Sequence, residues 1–237
     1  MPRHTGSVRH GRRVLQRRLV ALPVTLVAVV LLLSAVPRTI GVLVSARSEP
    51  VLRTLQDQRP ANVDDLRTLA GTLQEGRTWL GDGRLRTDLG LAYLLLAEKL
   101  PPNSSDSVEM LHRAIEALRD GLGRAPANPY AWARLAYAEA LADGWTPQAV
   151  AALRLALITA PYEPRLLWSR LRMAFLAWPE MSGEDRELVF QQIRLAWRAD
   201  PREPAKLAID LERVNLVRAA LLRSPQDSAA FEALLKH

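Results

Sequence analysis

Acidic side chains crowd together at two places, Asp64 with Asp65 and Glu184 with Asp185 and Glu187. Paired carboxylates are what a glycan hydrolase needs, one to protonate the leaving oxygen and one to activate water or attack. Both groups fall in the first turn of a predicted helix, where negative charge meets the positive end of the helix dipole, so capping is the expected role. The four histidines do not converge: His4 and His10 lie near the N-terminus, His237 is the last residue, and His112 stands alone as a surface or boundary residue. The chain has no cysteine, which excludes disulfides, thiolate chemistry, cysteine-ligated zinc and a lipid-modified cysteine. No nucleophile elbow, phosphate loop or dinucleotide fingerprint occurs, and Gly81, Asp82 and Gly83 form a turn between helices. Trp79, Trp132, Trp145, Trp168, Trp178 and Trp197 follow helical spacing, which favours core packing over ligand stacking. The residues therefore predict no catalytic centre, no metal and no cofactor.

Of the 237 residues, 49% are apolar and 24% charged, a composition able to bury a full core. The net charge of +7 is local. Six of the 32 basic residues, all arginines, stand in residues 1–18 without an acid, leaving 26 against 25 acidic residues in the rest. That placement argues against nucleic acid as a partner. Arg outnumbers Lys 29 to 3, the composition expected of a bacterial chain from a GC-rich genome.

Residues 19–36 carry no charge and are rich in Leu and Val. As a helix this segment spans roughly 27 Å, close to the roughly 30 Å hydrocarbon layer, and Pro37 with the long Arg18 and Arg38 side chains extends its reach. A membrane anchor over 19–37 is expected, with a basic cytoplasmic tail over 1–18 and the remainder exported by the positive-inside rule. A cleaved signal peptide with a small-residue site at Val44, Ser45 and Ala46 is the competing reading, against which stands the length of the apolar run. Residues 38–62 read as a juxtamembrane linker, with a short helix from Ser48 to Arg59.

What must position any functional residue is a repeated helical pattern. Ala114, Leu118, Gly121 and Pro126 recur as Ala149, Leu153, Ala156 and Pro161, and as Val189, Ile193, Ala196 and Pro201. Each set steps by four, three and five residues, so three side chains share a helix face and a proline lies just beyond the helix end. Offsets of 35 and 40 residues fall within the periods of helical solenoids. Asn62 or Asp64 caps a helix to about Leu80, and another runs from Arg84 to Lys99. Further helices are predicted over 106–123, 128–142, 146–159, 164–177, 183–199, 204–223 and 226–235, bounded by prolines, Gly144 and a Ser182–Asp185 capping box. No segment alternates as a strand does, so residues 63–237 read as an all-α domain.

Trp132 with Leu135 and Ala136, Trp168 with Leu171 and Phe175, and Leu89 with Gly90 and Tyr93 complete a motif that resembles the tetratricopeptide repeat over roughly residues 84–201. Arg86, Glu139 and Arg172 depart from it, the first two where an aromatic is usual and the third at a small position. The resemblance implies an all-α solenoid of about three helical hairpins plus flanking helices. It also implies a partner groove along the first helix of each pair, lined by Arg84, Thr87, Leu91 and Leu94, then Tyr130, Ala133 and Tyr137, then Leu166, Ser169 and Met173. The expected function is that of a membrane-anchored protein-interaction module on the periplasmic side of an inner membrane, serving envelope assembly or export such as that of polysaccharide. A peptide-binding, chaperone-like module, as in cytochrome maturation, is the alternative, followed by a carboxylate-dependent glycan enzyme.

Overall fold

The computed structural model describes residues 61–79 and 83–236, and among them every regular element is helical. The helices are α1 (Val63–Trp79), α2 (Gly83–Lys99), α3 (Ser105–Arg124), α4 (Pro129–Asp143), α5 (Pro147–Thr159), α6 (Pro164–Ala177), α7 (Gly183–Ala199), α8 (Arg202–Asp210), α9 (Val214–Leu221) and α10 (Pro225–Leu234). A 3₁₀ turn, Trp178–Glu180, links α6 to α7. Among the described residues no helix is long and apolar enough to cross a membrane. The tail over 1–18, the anchor over 19–37 and the linker helix from Ser48 to Arg59 lie outside the described residues.

Local chemistry sets the helix starts. Asn128, Thr146 and Ser224 each precede a proline and accept a backbone N–H from three residues on, at 3.1, 3.3 and 3.4 Å. The side chain caps a free donor, while the proline has the helical φ and no N–H to lose. Ser182 and Asp185 form the expected capping box at the start of α7. Asn62, rather than Asp64, caps α1, accepting from the Asp65 N–H at 2.7 Å.

Each helix packs on the next, and helices two apart also meet: α2 on α4, α4 on α6, α6 on α8 and α8 on α10 along one side, α5 on α7 and α7 on α9 along the other. The recurring residues make this stacking possible. Ala114, Leu118, Ala149, Leu153, Ala156, Val189, Ile193 and Ala196 are all fully buried. Small side chains at these sites let the backbones approach while Leu and Ile fill the gaps. Gly121 is the extreme case, since a Cβ there would lie 2.6 Å from the Thr87 methyl and 2.8 Å from the Gly83 carbonyl oxygen.

Two departures from the repeat motif turn out to be ion pairs on neighbouring residues of α3. Arg86 reaches Asp120, and buried Glu139 accepts from Arg119 Nη2 at 2.7 Å and Nε at 3.2 Å. The sites that would carry an aromatic ring instead tie α2 and α4 to α3 through charge.

The single helix expected over 204–223 is broken. Glu212 adopts φ 56°, the Arg213 N–H bonds to the Ala208 carbonyl at 2.7 Å and the Glu212 N–H to the Ile209 carbonyl at 3.1 Å. This is a Schellman ending with a glutamate in the left-handed position that glycine usually takes. It splits the segment into α8 and α9, which pack on each other. No glycine or proline marks the break, so the sequence pattern runs straight through it.

Candidate interaction groove

The Asn128–Pro129 start of α4 places Tyr130, Arg134, Tyr137 and Leu141 on one stripe, each about one turn from the last. From Pro164, α6 opposes them with Leu166, Ser169, Met173 and Leu176. Between the two helices lies a cavity of about 520 Å³, extended by Glu98 from α2 and Trp145 from the α4–α5 turn. Its volume is in the range that takes a compact ligand or a few side chains of a partner.

Six of the ten residues expected to line a groove do so: Tyr130, Ala133, Tyr137, Leu166, Ser169 and Met173. Tyr137 and Ser169 are exposed, while Ala133 and Met173 are almost wholly buried and present little more than one edge. The four from α2 do not take part. Thr87 is fully buried against Gly121, Leu94 belongs to the core, Arg84 is exposed away from the cavity beside Asp88, and Leu91 is half-buried outside it. For Thr87 and Leu94 the reason is helix register. Asp88 pairs with Arg134 of α4 and Glu98 reaches the cavity, so the side of α2 turned toward α4 carries 88 and 98. Thr87 and Leu94 turn into the core instead, Thr87 against Gly121 of α3.

Several groove residues escape the sequence reading. Leu141 and Leu176, both exposed, extend the stripes begun at Tyr137 and Met173 by one turn. Arg172 stands at the position where α4 has fully buried Ala136, yet it is exposed and lines the cavity. Arg170 explains the difference. It is fully buried, its Nη1 donates to the carbonyls of Ala156 and Ala160 at 2.7 Å each, and its Nη2 donates to that of Pro161 at 3.4 Å. A guanidinium capping the end of α5 fixes the rotation of α6, and two residues further on, about 200° round the helix, Arg172 is carried to the groove.

The site is apolar with charge at its edges. Burial, then the Glu98 carboxylate toward which its hydroxyl is directed, pushes the Tyr137 phenol up to about 12. Tyr130 is raised by burial and by Glu163. Desolvation lowers Arg134, and the Asp88 carboxylate, 3.9 Å from its Nη1, partly offsets this.

Elsewhere several of the acids are engaged structurally. Asp185 accepts from Arg154 at 2.5 and 3.0 Å as well as from Ser182, Glu187 pairs with Arg194 at 3.0 Å, and Asp64 lies 3.4 Å from Arg67. Among the described residues the two buried acids, Glu139 and Asp185, each hold an arginine rather than each other. The tryptophans divide. Trp197 is buried edge-on to Phe231, Trp178 lies against Phe190 and under Arg186, Trp132 donates to the Pro126 carbonyl at 2.7 Å, Trp168 is exposed, and Trp145 lines the groove. The Trp79 side chain lies outside the described residues. His112 is exposed on α3. A smaller cavity of about 370 Å³ lies between α1, α2 and α3, and its Arg113 is engaged by Glu109 at 2.5 Å and by the Tyr93 ring at 5.9 Å.

Comparison with known proteins finds no family model, no curated protein and no solved structure that matches the chain. The groove and the stacked helices carry the functional reading.

Proposed function

We propose that the chain is an interaction module of the tetratricopeptide type, a solenoid of helical hairpins that holds a segment of a partner protein in the groove between α4 and α6. One observation carries this: exposed Tyr137, Leu141 and Leu176 converge on a single cavity, where isolated surface apolar residues would scatter. The contact pattern supports the solenoid, since α2, α4, α6, α8 and α10 touch in series as the first helices of successive pairs do in such a fold. In this reading residues 19–37 anchor the module in an inner membrane, residues 1–18 remain in the cytoplasm, and the helical domain works on the periplasmic side. The apolar run and its arginine flank support that topology. Tethering raises the local concentration of the module near envelope machinery.

The test is a photoreactive residue at Ser169 in the full-length chain, expressed in cells. Leu141→Glu should abolish the crosslinked adduct while leaving helicity and thermal midpoint unchanged, because that side chain is exposed, and Tyr137→Glu, partly buried beside Glu98, should abolish it with helicity kept and the midpoint lowered. An adduct that persists in both variants overturns the groove. Met173 is a poor site for this test, since a charge there would enter the core.

A further inference from the structure

Glu98 and Arg172 enter the groove from opposite sides. Glu98 is on α2, Arg172 is on α6, and α4 packs between them, touching both helices. Both side chains are exposed, and among the described residues neither forms an ion pair with the other or with a third group. Both act on the Tyr137 hydroxyl, the carboxylate holding its proton and the guanidinium opposing that hold. Arg134 differs, because Asp88 already lies beside it. At the far end Glu163 is directed toward Tyr130 and accepts the Arg165 backbone N–H at 3.3 Å. The charge left open on the groove is thus dipolar, negative toward α2 and positive toward α6, with apolar surface between.

Resting on the groove proposed above, we infer that the occupant is a peptide segment of matching charge order: a basic side chain toward Glu98, a large apolar side chain over Tyr137 and Leu176, and an acidic side chain toward Arg172. Apolar burial supplies most of the affinity, and the two edge charges set which segments are accepted and how they lie. Exposed pairs of this kind change affinity by about 1.4- to fivefold each, while a like charge in the same place disfavours the segment.

The experiment selects a displayed library of random short peptides on the full-length chain held in lipid nanodiscs, beside Glu98→Arg, Arg172→Glu and the double variant. Peptides selected on the wild-type chain should carry one base and one acid flanking a large apolar residue. Selection on Arg172→Glu should replace the acid with a second base, selection on Glu98→Arg should replace the base with a second acid, and the double variant should restore one of each. Apolar peptides whose capture Tyr137→Glu abolishes, but whose flanking charges are the same on all four proteins, overturn the charge order and leave the groove standing. If no selected peptide depends on Tyr137, the groove itself falls and this inference with it.

Discussion

Between α2 and α3 the backbones meet at glycines, whereas α5, α6 and α7 are also tied together by the guanidinium groups of Arg170 and Arg154. A Cβ on Gly90 would lie 2.5 Å from Leu118 Cγ, and one on Gly121 would strike backbone at Gly83 and Thr87. At the other junction Arg170 donates to three carbonyls at the end of α5, and Arg154 crosses from α5 to Asp185 of α7. Thr87 is sealed inside the first seam against Gly121, which is why it is missing from the groove. At the second, Arg170 caps the end of α5 from α6 and Arg154 bridges α5 to α7. The larger groove lies on the Arg170 side of α4, between α4 and α6, and the smaller cavity on the other side, between α1, α2 and α3.

Arg170 is where that contrast is most easily broken. Arg170→Ala should cost about 3–5 kcal/mol, from a buried cavity plus carbonyls stripped of charged donors. Arg170→Met, which keeps most of the volume and removes the donors, should cost about 2–3 kcal/mol. Urea unfolding checks both. If the methionine variant matches the wild type, the arginine is only a filler and the two seams differ in size alone.

At the opposite seam, Gly121→Ala should cost about 2 kcal/mol, because the added methyl meets backbone that cannot turn aside. Ala156 occupies the same repeat position, and Ala156→Gly should cost about 1 kcal/mol, chiefly by loosening the unfolded chain. Equal tolerance of Gly and Ala at both positions, read from the denaturation midpoints, would remove the distinction between the seams.

The Arg154–Asp185 bridge makes the second seam sensitive to acid. Hydrogen bonds from Arg154, and then from Ser182, hold the Asp185 carboxyl below its ordinary range despite burial. A depressed carboxylate stabilises the fold above its unfolded pKa of about 3.9, and that contribution is lost as pH falls through the lower folded value. Asp185→Asn should cost about 1–2 kcal/mol at neutral pH and flatten the acid limb of the stability profile below about pH 4. An unchanged slope in a urea series across that range would place the acid sensitivity elsewhere.

What the sequence revealed follows the same division. Ala114, Leu118 and their counterparts were legible because stacked helices need small and apolar residues at fixed steps, and any such set advertises its buried face. Helix starts were legible because Asn128, Thr146 and Ser224 each stand before a proline. Tyr130, Tyr137, Leu166 and Ser169 were found because α4 and α6 keep the repeat spacing. Arg170 was invisible as a core residue, since a buried arginine breaks the apolar pattern that identifies cores, and without it the rotation that exposes Arg172 could not be foreseen. Thr87 failed for the converse reason: a polar residue was assigned to a groove when the glycine opposite had made a close-packed pocket for it. The α8–α9 break failed because Leu207, Leu211 and Val214 continue a helical apolar rhythm across it.

That break supplies the smallest test, and it asks what a missing side chain does when space is not at stake. At Gly121 glycine is required for clearance. At Glu212 the side chain is exposed, and only the backbone, at φ 56°, favours its removal. A left-handed conformation costs an L-residue about 1–2 kcal/mol, while glycine gives back part of that gain by freeing the unfolded chain. Glu212→Gly should therefore stabilise the protein by about 0.5 kcal/mol, a small rise in thermal midpoint, whereas Glu212→Val, branched at Cβ and poorly suited to positive φ, should lower it. A lower midpoint for the glycine variant would mean that the turn between α8 and α9 is held by the Glu212 side chain and not by the backbone bonds from Glu212 and Arg213 to Ile209 and Ala208.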